Sequence, residues 1–90
     1  MQHKNKHTLH LIKKFGQQIK EQRESLNKSQ RLLAFEYDLD SGNLSRIEAG
    51  QIDPKLTMLW RISEALGIPL SEIIKSLEDE LGENFHIIEQ

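Results

Sequence analysis

The polar residues of one stretch, SQRLLAFEYDLDSGNLSRIEAGQIDP (29–54), carry most of the chemistry this chain can offer. Gln30, Ser41, Asn43, Ser45, Arg46 and Gln51 supply amide, hydroxyl and guanidinium groups. Such groups donate and accept hydrogen bonds, and the arginine adds a permanent positive charge. The chain has no Gly-rich phosphate loop, no G-x-S-x-G, no H-E-x-x-H and no cysteine. Ser41, Glu48 and a histidine are all present, but on a short solvent-facing helix such groups have no pocket. The available chemistry is therefore recognition, and an enzyme is not expected.

Histidines 3, 7 and 10 fall at i, i+4 and i+7, and on a helix they would share one face. No nearby carboxylate or cysteine completes a ligand set, so neither a metal site nor a cofactor is assigned. The expectation for residues 1–10 is a basic, flexible arm, disordered in the free protein. An arm of this kind can also follow DNA into an adjacent groove.

The elements that must position the polar groups are all helical. Leu9, Ile12, Phe15, Ile19 and Arg23 recur at three- and four-residue spacing, which predicts a helix over 8–25. Asn27 suits a left-handed terminator. Ser29 caps a second helix, 30–37, with Leu33, Ala34 and Tyr37 expected to face inward. Asp38 to Asp40 form the turn, and Asp40 can cap a third helix, 41–49, with Leu44 and Ile47 buried. Gly50 stands just past its end. A loop over 51–55 contains Asp53-Pro54, which reads as a helix start with Asp53 as the cap. A fourth helix, 55–66, carries Leu56, Leu59, Trp60, Ile62, Ala65 and Leu66, and Gly67 ends it. A fifth, 70–81, carries Leu70, Ile73, Ile74, Leu77 and Leu81, and Gly82 stops it. The tail, 82–90, holds Phe85, Ile87 and Ile88 outside any evident helix. No segment pair reads as a β-ribbon. The fold expected is all-α: a compact five-helix bundle containing a helix-turn-helix, spanning 11–81 between the arm and the tail.

Length and composition agree with this. Ninety residues allow one domain, and 37% hydrophobic with 29% charged content fits a globule better than a disordered chain. No apolar run approaches the ~20 residues of a membrane span, and the N-terminus lacks a signal peptide's apolar region, so a cytoplasmic location without membrane contact is expected. Net charge is −2, but residues 1–31 hold eight basic groups against two acids, while residues 32–90 hold four against twelve. A phosphate backbone responds to the local field, so a basic front and an acidic rear are compatible with nucleic-acid binding.

Two short helices joined by a tight turn, the second displaying small and polar side chains, make a helix-turn-helix, whose second helix ordinarily enters the DNA major groove. The pieces FGQQIKEQR (15–23), SQRLLA (29–34), LSRIEAGQIDP (44–54) and LWRISEALGIPLSEI (59–73) occur in order. Together they resemble the phage-repressor-like helix-turn-helix proteins, the XRE family that includes lambda and 434 repressor and Cro. The resemblance implies base contacts from Ser41, Gly42 and Arg46. It implies phosphate or flanking contacts from Gln30, Asn43, Ser45 and Gln51, and a partly buried ion pair between Arg23 and Glu48. It further implies double-stranded DNA as partner and a homodimer on a palindromic operator, with repression as the outcome. The fork of Arg46 can bond guanine O6 and N7 together. Gly42 replaces the long polar residue often found there, and Lys28 stands at a usually apolar position. Trp60 is expected to be partly buried against the bundle or a dimer partner. The apolar surplus of the fifth helix with Phe85, Ile87 and Ile88 also points to self-association. Two alternatives stand beside this reading: an antitoxin holding a protein partner through the acidic C-terminal third, and a helical interaction adaptor that no longer binds DNA.

Overall fold

The computed structural model describes residues 5–88 and contains α1 (Lys6–Ser25), α2 (Gln30–Glu36), α3 (Ser41–Glu48), α4 (Leu56–Leu66) and α5 (Leu70–Leu81). No strand is present among the described residues. Each helix boundary follows from a local signal. Asn5 Oδ1 accepts the Thr8 N–H at 2.8 Å, so α1 begins two residues earlier than its apolar pattern predicts. From Lys6 onward the expected arm is therefore the first turn of α1, and His3 lies outside the described residues. Ser29 Oγ caps α2 through the Leu32 N–H, and Asp40 Oδ1 caps α3 through the Asn43 N–H.

The helix ends are equally specific. Asn27 and Asp38 adopt positive φ, 58° and 54°, as short polar residues can. After α2 the Leu39 N–H reaches back to the Ala34 carbonyl at 2.8 Å, and Leu39 is buried there. After α3 and α4 the same closure joins Gln51 N–H to Arg46 O and Ile68 N–H to Ser63 O, with Gly50 and Gly67 left-handed. The start of α4 departs from expectation. Lys55 is its N-cap, without a side-chain bond, and Asp53 does not cap it. Asp53 lies two residues before the cap, beyond reach of the helix's free amides, and Pro54 precedes the helix instead of opening it.

Ile19, Leu33, Leu44, Ile47 and Ile62 are the largest side chains with virtually no exposure, and they come from the first four helices. Each contributes about 1.5–3 kcal/mol by leaving water. α1 packs chiefly on α3, α2 on α3, and α5 on both α1 and α4. Four periodic positions lie outside this core. Leu9, Tyr37, Leu56 and Trp60 are exposed, so the partial burial expected of Trp60 is not provided by the chain's own bundle.

The tail folds back on α1. Phe85 stacks against His7 at 5.8 Å and lies 6.0 Å from His10, and Asn5 Nδ2 donates to the Ile87 carbonyl at 2.8 Å. Phe85 thus serves the chain's own bundle, whereas the side chains of Ile87 and Ile88 remain exposed.

Candidate nucleic-acid interface

α3 is held from behind and bare in front. Its buried side consists of Leu44, Ile47 and Glu48. Where α1 crosses it, the crossing residue is Gly16: a β-carbon there would lie 2.2 Å from the Ile47 carbonyl oxygen and 2.9 Å from that of Glu48. Only a glycine lets the two backbones approach this closely.

Beside that crossing the Arg23 guanidinium grips Glu48 with two bonds, Nε to Oε2 at 2.7 Å and Nη2 to Oε1 at 2.9 Å. Both side chains are buried. Paired geometry of this kind satisfies the charges that burial would otherwise penalise. The Glu48 bond raises the Arg23 pKa above its already high ordinary value, so the guanidinium stays charged. Nη1 of Arg23 donates to the Lys28 carbonyl at 2.7 Å, closing the α1–α2 link. Gln30 Nε2 donates to Glu48 Oε1 at 2.8 Å. One carboxylate thereby ties α1, α2 and α3 together.

The solvent side carries the polar set. Ser41, Ser45, Arg46 and Gln51 are exposed, and Gly42, Asn43 and Gln30 are half-buried. Asn43 Oδ1 accepts a bond from Arg46 Nη2. Gln51 sits in the closure after α3, its amide fixed by the Arg46 carbonyl, with its side chain outward. Ser41, Gly42, Asn43, Ser45 and Arg46 thus share one short helix, with Gln51 at its end and Gln30 beside Glu48. Gln30 retains one amide N–H for another acceptor. Lys28, at its usually apolar position, pairs with a carboxylate of α2. Its Nζ bonds Glu36 at 2.7 Å, which raises its pKa, and lies 5.7 Å from the centre of the Tyr37 ring.

Three contributors escaped the sequence reading. Gly16 continues the buried stripe of Ile12, Ile19 and Arg23, and its place on that stripe was the available signal. Gln18 Nε2 donates to Ser76 Oγ and Glu80 Oε2, joining α1 to α5. Glu80 also accepts from Lys14 at 3.1 Å, and these partners hold its carboxyl below the usual range. Part of the acidic rear is thus engaged within the chain. Among the described residues, no group of acidic or histidine side chains could hold a metal ion. No described helix is long and apolar enough to cross a membrane.

A family model described as helix-turn-helix matches residues 19–73, which contain the Arg23–Glu48 brace and the polar helix. The chain belongs to the helix-turn-helix family. It is 40% identical over 68 residues to control protein C.MunI of Mycoplasma sp, a match covering 74% of this chain and 92% of that protein. The crystal structure of the restriction-modification controller protein C.AhdI from Aeromonas hydrophila matches with a TM-score of 0.65 and 34% identity, covering 71% of this chain and 96% of that one. The XRE-type resemblance is thus upheld, and the chain is a helix-turn-helix DNA-binding regulator. Within this helix-turn-helix, α2 is the supporting helix and α3 the presented one.

Proposed function

We propose that this protein is a transcriptional repressor that binds a palindromic operator as a homodimer, serving as the control protein of a restriction-modification system. The observation that carries the reading is α3 itself: an uncovered polar face, Ser41 to Arg46, braced from behind by the buried Arg23–Glu48 pair. Ser41, Gly42 and Arg46 approach base edges. Gln30, Asn43, Ser45 and Gln51 contact phosphate or flanking bases. The names of C.MunI and C.AhdI support the controller role.

Self-association is supported by the α4–α5 face. There an open apolar cleft of about 730 Å³ is lined by Trp60, Ile68, Pro69, Leu70 and Ile74 among others, and Trp60 remains 58% exposed. A twofold dimer through this face would set two copies of α3 about one DNA turn, roughly 34–36 Å, apart.

The test is selection of sites from a random duplex library at near-physiological salt, with wild type, Arg46→Ala and Gln30→Ala in parallel. The expected result is an enriched palindrome that loses one symmetric base pair in Arg46→Ala. Gln30→Ala should weaken binding to all sequences alike. Failure to enrich any sequence would overturn the reading.

A further inference from the structure

Arg46 does not extend freely from α3. Its guanidinium folds back over the first turn, where Asn43 Oδ1 accepts from Nη2. Beneath it lies Gly42: a β-carbon on that residue would stand 3.5 Å from Nη1 and 3.8 Å from Nη2 of Arg46. The same β-carbon would stand 3.1 Å from Asp40 Oδ1, the oxygen that caps α3 through the Asn43 N–H at 2.9 Å. Among the described residues Arg46 forms no ion pair, so this seat is what defines its direction.

We infer that Gly42 and Asn43 are positioning residues that seat the Arg46 guanidinium against the first turn of α3 and thereby select guanine at one operator position. This inference rests on the assignment of base readout to Arg46. Asn43 has its carbonyl oxygen occupied by Arg46, so it acts on the base through the guanidinium. The guanidinium offers only N–H groups. Guanine presents the matching pair of acceptors, N7 and O6, in the major groove. A free arginine loses rotamer freedom on binding, whereas a seated one has already given up most of it. A side chain longer than alanine at position 42 would occupy the seat and send the guanidinium elsewhere.

The experiment measures Kd for the best selected site and for the same site with the symmetric guanine replaced. It uses wild type, Arg46→Ala, Gly42→Gln, Asn43→Ala, Asn43→Asp and the double variant Arg46→Ala/Asn43→Ala. Arg46→Ala should reduce the guanine preference about ten- to hundredfold. Gly42→Gln and Asn43→Ala should each reduce it at the same position by about threefold or more. Gly42→Gln should change the melting temperature by only a few degrees, because the gain from replacing a helical glycine is opposed by the close approach to the Asp40 cap. Asn43→Asp keeps the acceptor for Arg46, so it should retain the preference while binding all DNA more weakly. The double variant should discriminate no less than Arg46→Ala alone. If Arg46→Ala loses the preference but Gly42→Gln and Asn43→Ala keep it, the positioning role is overturned and the readout by Arg46 stands. If Arg46→Ala keeps every preference, the readout assignment fails and the positioning role falls with it.

Discussion

Glu48 has two carboxylate oxygens and gives both to the scaffold, Oε2 to Arg23 and Oε1 to Arg23 and Gln30. An apolar residue could fill the same volume, but it would leave a buried guanidinium unpaired. Removing one partner of a buried pair costs about 3–5 kcal/mol, because the remaining charge is stranded. Glu48→Ala should therefore lower the melting temperature by about 15 °C or more, as read by circular dichroism. An unchanged melting temperature would show that the pair does not hold the fold. The Arg23–Glu48 pairing was legible through the family resemblance, since both residues stand at matching positions. The Gln30 bond was not. Gln30 is an exposed-looking first residue of α2, and only the tilt of α2 over α3 decides that its amide reaches Glu48.

At the scale of elements, the placement of α3 depends on its crossing with α1. Gly16→Ala puts a methyl group into the Ile47 carbonyl, and backbone atoms cannot swing aside as a flexible side chain can. Overpacking of this kind costs about 1–3 kcal/mol, against a helix-propensity gain of about 1 kcal/mol from replacing glycine. The expected outcome is a small change in stability with a large loss of operator affinity, because α3 is pushed off its scaffold. Gln17→Ala, exposed on the same helix, should change neither; equal DNA binding by Gly16→Ala and Gln17→Ala would remove the crossing from the account. Helix ends were readable because capping is local: Ser29, Asp40, Gly50 and Gly67 act within a few residues of themselves. Asp53 misled because the motif is right in type but two residues too early. Gly16 was passed over because a glycine inside a helix registers locally only as a propensity cost. Its benefit lies on another helix, more than thirty residues away in sequence.

At the scale of the whole molecule, two apolar features have different fates. Phe85 closes back onto the start of α1, while Trp60 and Leu56 remain open on α4. If the α4–α5 face joins two copies, Trp60→Glu should convert the protein to a monomer by sedimentation and weaken operator binding at least about tenfold, since one half-site then binds alone. A dimer that survives Trp60→Glu would place self-association elsewhere. Binding should also fall with added salt, through release of counterions from the contacted phosphates.

Periodicity, caps and turn residues settled five helices, their order and the polar helix among them, because those signals act over one or two turns of chain. The four-piece pattern further carried the family and, with it, the Arg23–Glu48 pair. Tertiary structure alone decided how closely α1 and α3 approach, where the tail goes, which periodic residues stay exposed, and that Arg46 is seated on Gly42 and Asn43. These outcomes depend on distances between elements far apart in sequence, or on side chains choosing among partners, and a linear pattern does not encode either.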